Sequence, residues 1–178
     1  MEKIHIGIDP GKQGMITCFT PEEGFLHYQI PIIGNFVDLF ELNEIFKRIV
    51  TKSKLFGYGI HAVIEDVHAI FGSSAKNTFS FGHVLGLIEM AVVANGIPYT
   101  KVQPKKWQAE MWQGIPNQKK LSSTGKTFTN DTKLMSQLAA KRLFPGKDLR
   151  RTERSKKDDD NLIDSLLICE YSRRRFNA

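Results

Sequence analysis

Four acidic residues, far apart in the chain, stand where a single domain can bring them together: Asp9, Glu65, Asp160 and Asp164. Asp9 ends a stretch in which isoleucines alternate with other residues, the two-residue period of a strand, before Pro10 and Gly11 turn the chain. Glu65 ends a nearly continuous apolar run over residues 60–65, as expected of a central strand covered on both faces. Each of these two acids therefore closes a predicted strand.

The other two acids share one face of a predicted helix. Asp164 follows Asp160 by four residues, and the same face continues through Ile163, Leu167 and Tyr171. Two like charges on an apolar stripe cost stability unless a positive group lies between them. A salt bridge to Lys or Arg and a bound metal ion are both consistent with this pattern.

Oxygen ligands without His or paired Cys favour hard cations such as Mg²⁺ or Mn²⁺. Two such ions about 4 Å apart can activate water and stabilise the leaving oxygen in phosphodiester hydrolysis. The chain has 25 Lys and Arg against 19 Asp and Glu, a formal charge of +6, which suits a polyanionic partner. Together these features predict a metal-dependent nuclease.

The length of 178 residues suits one domain, spanning 1–178, with a substantial core. Strand patterns cover residues 4–9, 15–19, 25–30, 60–65 and 98–102. Helical patterns cover residues 39–49 and 79–94, a segment starting at Pro104, the region around 134–139 and a last helix from 158. Cys18 and Cys169 are predicted to be reduced core thiols, which favours a cytoplasmic protein. No apolar run approaches a membrane span, and no signal peptide is recognisable.

Several features leave alternatives open. Asp9 could merely form an Asx-turn, and the gap beside Gly7 could admit a phosphate, a metal ion or another backbone. Gly82 and Gly86 could pack the buried helix on the sheet or accept the same helix from a second subunit. Residues 113–132, polar and lysine-rich, predict a basic mobile loop that is either solvated or clamps a phosphate backbone.

Two tryptophans favour the phosphate-clamping alternative for that loop. Trp107 and Trp112 stand beside Lys105 and Lys106, and aromatic rings interleaved with lysines are typical of nucleic-acid contacts.

The motifs together resemble those of RuvC-type Holliday junction resolvases, particularly phage-encoded ones. The resemblance spans nearly the whole chain and is carried by Ile6-Gly7-Ile8-Asp9-Pro10-Gly11, Val63-Ile64-Glu65-Asp66-Val67, Phe79-Ser80-Phe81-Gly82 with Gly86, Val102-Gln103-Pro104 with Trp107, and Asp160-Asn161-Leu162-Ile163-Asp164-Ser165-Leu166-Leu167. It implies the RNase H-like fold, an α/β fold whose mixed five-stranded sheet has three antiparallel strands, then parallel strands, and flanking helices.

The resemblance also implies a function. Asp9, Glu65, Asp160 and Asp164 would form a catalytic tetrad that binds Mg²⁺ or Mn²⁺, with two ions per site. The enzyme would be a homodimer that cuts a four-way DNA junction by paired symmetric nicks, leaving 5′-phosphate and 3′-hydroxyl ends. No small-molecule cofactor and no membrane are expected, and a phage-encoded member would act in the host bacterial cytoplasm.

The chain departs from the family pattern at several positions. Asn161 and Ser165 replace a common Gly and Ala, and Asp158 or Asp159 could replace Asp160 as a ligand. The position of the aromatic residue that opens the junction holds His68, so either His68 or Phe71 is expected to take that role. The lysines expected near the scissile phosphate are Lys105, Lys106, Lys119 and Lys120.

Three other functions compete with this interpretation. An RNase H-like nuclease could act on other branched DNA or on structured RNA. An actin-like ATPase also starts with a strand carrying Asp and Gly, but 178 residues leave no room for its second nucleotide-binding half. The intact carboxylate set argues against a catalytically inactive junction-binding protein.

Overall fold

The computed structural model describes residues 2–67, 74–122 and 125–177. The strands are β1 (Lys3–Asp9), β2 (Met15–Thr20), β3 (Gly24–Gln29), β4 (Ile32–Ile33), β5 (Phe36–Val37), β6 (Gly59–Glu65), β7 (Tyr99–Val102), β8 (Lys119–Leu121) and β9 (Phe128–Asn130). The helices are α1 (Leu39–Phe56), α2 (Ala75–Ala94), α3 (Pro104–Met111), α4 (Thr132–Leu143) and α5 (Asp160–Arg175).

Five strands form the central sheet in the order β3-β2-β1-β6-β7. The first three make an antiparallel meander, whereas β6 pairs parallel to β1 and β7 pairs parallel to β6. Short turns can join antiparallel neighbours, but each parallel strand needs a crossover, here supplied by α1 and α2. The predicted α/β class and mixed five-stranded sheet are confirmed.

The alternation of residues along β1 shows which helices cover each face of the sheet. Ile4, Ile6 and Ile8 are fully buried in a core shared with α1 and α2. The intervening residues point to the other face, where α3, α4 and α5 form a second core around Val63, Val102 and Trp107. Since successive strand residues face opposite sides, Asp9 belongs to the same face as His5 and Gly7, the face covered by α5.

Gly7 is required for the approach of α5 to the sheet. A Cβ atom at this position would lie 2.1 Å from the Cys169 backbone nitrogen and 2.4 Å from the Ser165 carbonyl oxygen. Of the three groups that could approach Gly7, the structure therefore brings another backbone, that of α5.

Helix α2 starts four residues earlier than predicted and is mostly exposed. Val84, Ile88 and Val92 are its buried residues, while Phe79, Met90 and Val93 are 77%, 59% and 51% exposed. Among the described residues it is the one helix long and apolar enough to cross a membrane by length and composition alone, whereas the sequence predicted no segment of this kind. The prediction of a buried helix is wrong for its outer face.

Two hairpins were not predicted. One pairs β4 with β5, and the other pairs β8 with β9 inside residues 113–132, where the sequence predicted a mobile loop. The strand residues of the second hairpin are all exposed, so no buried face gave β8 and β9 an alternating apolar pattern.

Candidate active site

Adjacent parallel strands bring the first two predicted acids to one edge of the sheet. β1 and β6 are in register, with Ile8 opposite Ile64, so Asp9 and Glu65 end neighbouring strands at their carboxyl ends. Outside the carboxyl ends of parallel strands, the connecting segments leave room for a ligand.

Helix α5 brings the other two acids to the same edge because it runs antiparallel to β1. Near the start of the strand, His5 Nδ1 lies 3.1 Å from Ser172 Oγ, and further along the strand Gly7 lies against Ser165. Asp9 is two residues further on, so it faces the first turns of α5. Those turns carry Asp160 and Asp164.

The carboxylates interact electrostatically. Burial raises the pKa of Asp9 well above its usual value, and the charges of Glu65 and Asp164 raise it further. Burial also raises the pKa of Asp164 to about 7, with a hydrogen bond from Ser136 acting against the shift and with Glu65 and Asp160 adding to it. Both acids therefore resist ionisation, as expected when several carboxylates share one partly buried site.

Glu65 is held by Trp107, whose indole Nε1 donates a hydrogen bond of 2.9 Å to Glu65 Oε1. Burial raises the pKa of Glu65, and this hydrogen bond lowers it. The Trp107 side chain is fully buried, so the interpretation of Trp107 as a nucleic-acid contact is wrong. The residue instead orients a candidate catalytic acid.

Helix α4 contributes residues that the sequence analysis missed. Lys133 Nζ lies 2.6 Å from Asp160 Oδ2, and Gln137 Nε2 donates to Asp160 Oδ1 at 3.3 Å. Ser136 lies between them in sequence and hydrogen-bonds Asp164. The only local signal was the spacing of four residues between Lys133 and Gln137, which places both on one helix face.

The neighbouring acids Asp159 and Asp158 have other partners. Asp159 caps α5 by accepting a hydrogen bond from the Leu162 backbone and binds the Arg151 guanidinium through both carboxylate oxygens, at 2.7 and 3.2 Å. Asp158 forms an ion pair of 2.8 Å with Lys141. Asp159 thus caps the helix terminus, and its charge is one of those that raise the pKa of Asp9, so the choice between Asp159 and Asp160 as a ligand stays a prediction.

Arg151 also connects α5 to the turn that follows Asp9. Its guanidinium donates to the Gln13 side-chain oxygen at 3.0 Å and to the Gln13 carbonyl oxygen at 2.9 Å, while binding Asp159. It thus ties the β1–β2 turn to the N-terminus of the helix that carries two of the four acids.

The predicted basic residues are distributed unevenly. Lys105 is exposed in the first turn of α3, shortly after Val102, which pairs with Glu65. Lys106 lines a groove with Tyr171 and Arg175, nearer the opposite end of α5 from the acids. Lys119 and Lys120 are exposed on β8.

The two candidates for opening the junction, His68 and Phe71, lie outside the described residues.

The side chains at this edge are of the types that bind a hard cation, but they are not positioned to share one ion. Within the described part of the chain, no three His, Cys, Asp or Glu side chains lie close enough to hold one ion. Asp164 Oδ1 is buried without a hydrogen-bond partner. The atoms that could ligate a metal ion at this edge are carboxylate oxygens. Burial raises the pKa of Asp9 and Asp164, and repulsion between the carboxylates raises it further, so a bound divalent cation would stabilise their ionised forms.

Comparison with solved structures identifies the fold. Thermus thermophilus RuvC superposes with a TM-score of 0.54 at 16% identity, covering 98% of both chains. The fold is that of RuvC. The structure of T. thermophilus RuvC in complex with Holliday junction substrate gives a TM-score of 0.50 at 13% identity, covering 99% of this chain and 98% of that one.

A third structure, the yeast mitochondrial Holliday junction resolvase Ydc2, covers 92% of this chain and 75% of its own at 13% identity, with a TM-score of 0.49. No family model and no curated protein matches the sequence. The similarity to T. thermophilus RuvC confirms the fold that the sequence motifs predicted.

We expect Asp164→Asn to stabilise the metal-free protein at alkaline pH. The pKa of Asp164 is about 7 in the folded state, compared with 3.8 when unperturbed. Between these values the folded state retains a proton that the unfolded state has released, so the free energy of unfolding falls as pH rises. The variant should unfold at a temperature higher by roughly 2–4 °C at pH 8, equivalent to about 1 kcal/mol or more.

Calorimetry in chelator at pH 5 and pH 8 measures this effect. The difference between wild type and variant should shrink at pH 5, where the wild-type carboxyl is protonated. Glu153→Gln, which removes an exposed carboxylate, is the control for the loss of one negative charge. An equal difference at both pH values for Asp164→Asn would contradict the elevated pKa.

Proposed function

We propose that this protein is a metal-dependent endonuclease that resolves four-way DNA junctions by paired symmetric nicks. The observation that supports it most is the placement of Asp9, Glu65 and Asp164 at the carboxyl edge of the sheet, with pKa values raised by burial in all three and also by repulsion in Asp9 and Asp164. Perturbed carboxylates at such an edge are typical of catalytic sites. The same fold occurs in T. thermophilus RuvC, which has been solved with a Holliday junction substrate.

In this proposal Asp9, Glu65, Asp160 and Asp164 hold Mg²⁺ or Mn²⁺. Bound ions would activate the attacking water and stabilise the leaving oxygen of the phosphodiester. Trp107 fixes the direction of the Glu65 carboxylate by its hydrogen bond. Lys133 balances negative charge beside Asp160 and keeps that carboxylate close to α4. The expected products are 5′-phosphate and 3′-hydroxyl ends.

The DNA would approach across the basic surface beside this edge. We propose that Lys105, Lys119 and Lys120 contact phosphates, because all three are exposed and none belongs to the core. Lys120 pairs with Asp131 at 3.1 Å, so a phosphate would compete with that carboxylate. Lys106, on its separate groove, is the weaker candidate.

A cleavage assay tests the proposal directly. We expect Mg²⁺ or Mn²⁺ to support paired nicks in a synthetic four-way junction, no cutting of linear duplex, and no activity in chelator. Activity on flaps, forks or structured RNA, but not on the junction, would assign the protein to another class of substrate. Tight ATP binding measured by calorimetry, without nuclease activity, would favour the actin-like alternative.

We also propose that the protein is a homodimer formed through α2. A Cβ atom added to Gly82 or Gly86 would meet no atom of the described residues within 4 Å, so these glycines do not pack the helix on the sheet. They lie at helical spacing with the exposed Phe79, Met90 and Val93. An apolar stripe with small residues at its centre suits close contact with a second copy of the helix.

A membrane suits the apolar stripe of α2 less well than a second copy of the helix does. Val84, Ile88 and Val92 belong to the core that α2 shares with the sheet and α1. Glu89 on the same helix forms an ion pair of 2.8 Å with Lys101 of β7. Insertion of α2 into a bilayer would have to break both sets of contacts.

We expect Gly86→Arg to convert the dimer into a monomer. A guanidinium placed in the middle of an apolar interface loses its hydration without gaining a partner, and should weaken dimerisation by about 100-fold or more. The fold should persist, because the side chain enters space that the described residues leave open. Analytical ultracentrifugation measures the change.

Thr51→Arg is a matched control, because it adds the same side chain to an exposed position of α1 and should leave the dimer intact. A wild-type protein that sediments as a monomer at micromolar concentration would refute the dimer. Binding of the wild type to lipid vesicles would instead assign the stripe to a membrane.

A further inference from the structure

The hairpin formed by β8 and β9 presents an apolar pair to solvent. Its register places Leu121 opposite Phe128, and these side chains are 57% and 69% exposed. Opposed residues share one face of a hairpin, and so do residues two positions along. Lys119 and Asn130 therefore lie on the same face as the apolar pair.

This hairpin is attached directly to the candidate active site. The Asp131 backbone nitrogen donates to the Gln118 carbonyl oxygen at 2.8 Å and closes the base of the hairpin. Asp131 is also the N-cap of α4, where its side chain accepts from the Leu134 backbone nitrogen. Two residues after the cap, Lys133 contacts Asp160. A substrate bound at the carboxylates therefore lies beside the base of the hairpin.

The charge of the hairpin favours nucleic acid as the partner of the apolar pair. Residues 117–131 contain Lys119, Lys120 and Lys126 against one acid, Asp131, which already pairs with Lys120. Lysines neutralise phosphates, and unstacked bases stack on aromatic and apolar side chains. The hairpin of a second copy would carry the same positive charge and be repelled.

We propose that the Leu121–Phe128 face of this hairpin packs against unstacked bases at the branch point of the bound junction, with Lys119 and Lys126 on the flanking phosphates. This inference rests on the proposed function, since it requires branched DNA at the neighbouring carboxylates. In this proposal the hairpin holds the junction open without the help of His68 or Phe71.

The test uses the full chain with Asp9→Asn, which prevents cleavage, and a junction carrying 2-aminopurine at the branch point. Binding should raise the fluorescence as the base unstacks. Adding Phe128→Ala should abolish most of this rise. Adding Phe36→Ala should not, although Phe36 is a similarly exposed aromatic residue, at 75%, on the other small hairpin.

Cleavage by otherwise wild-type protein provides a second measurement. Phe128→Ala should slow cutting of a fully paired junction by about 10-fold, the order expected for loss of one stacking contact. A junction with mismatched bases at the branch point should be cut at nearly the wild-type rate, because its bases are already unstacked. A merely structural defect would slow both substrates equally.

Failure of the proposed function and failure of the hairpin proposal give different results. If Asp9→Asn protein does not bind the junction at all, the proposed function fails and the hairpin proposal fails with it. If it binds but Phe128→Ala leaves the fluorescence and both cleavage rates unchanged, the hairpin proposal alone is wrong. A change from dimer to monomer on Phe128→Ala would make the hairpin a protein interface and would also overturn it.

Discussion

Asp9→Asn should lower the rate of junction cleavage by about 10³-fold or more while leaving the fold and DNA binding intact, because loss of a group acting in the transition state has effects of this size. Asp9 is buried near Glu65, Asp164 and Asp159, and burial together with these charges raises its pKa well above its usual value. The amide has nearly the same shape but supplies neither the negative charge nor the two equivalent oxygens that a divalent cation requires. Single-turnover cleavage and fluorescence anisotropy on the same junction measure the two properties.

A measurement of stability distinguishes the loss of a catalytic group from damage to the fold. Replacing one of several mutually repelling carboxylates removes unfavourable charge, so the melting temperature of Asp9→Asn in chelator should equal or exceed that of the wild type. Asp148→Asn makes the same chemical change at an exposed acid paired with Arg150 and should cleave normally. Normal cleavage by Asp9→Asn would mean that the carboxylate site is not catalytic.

Gly7→Ala should destabilise the protein by about 3 kcal/mol or more, at the upper end of overpacking substitutions. The added methyl group would lie 2.1 to 2.7 Å from backbone atoms of Ser165 and Cys169, and backbone within a helix cannot move aside as the end of a flexible side chain can. We expect a fall in melting temperature of roughly 6–12 °C, or insoluble protein. Cleavage should fall as well, because displacement of α5 separates Asp164 from Asp9.

Gly86→Ala is the matched control for this substitution. Gly86 also lies in a regular element, but its added methyl group meets nothing within 4 Å in the described ranges of the chain. Since Ala favours a helix over Gly by up to about 1 kcal/mol, this variant should melt at or above the wild-type temperature when both are measured at a concentration low enough to keep the protein monomeric. If Gly7→Ala melted with the wild type, α5 would not rest on β1 as described.

The strand and helix pattern could be read from the sequence where one face of an element is apolar. Ile4, Ile6 and Ile8 alternate because β1 buries that face in the core. The hairpin of β8 and β9 has no buried face, and backbone hydrogen bonds between Lys119 and Asn130 and their neighbours define it instead. Such pairing leaves no periodic signal, so the segment was predicted as a mobile loop.

The interpretation of Trp107 failed for a related reason. Its neighbours Lys105 and Lys106 suggested an exposed basic surface, but a helix directs residues one and two positions apart toward different sides. Trp107 turns inward to Glu65 while both lysines remain exposed. Which side of a short helix faces the core depends on what the rest of the chain places there.

The sequence by itself determined the types and positions of the four acids: an Asp and a Glu at the ends of two strands, and two Asp residues one helical turn apart. It also determined the class of fold, because each strand of the five-stranded sheet and each long helix carries a local apolar pattern. Only the tertiary structure decided that a backbone fills the gap beside Gly7, that Lys133 and Trp107 hold two of the acids, and that Gly82 and Gly86 face outward. The first two of these depend on contacts between residues distant in sequence, and the third on which side of α2 the core covers; local spacing carries no information about either.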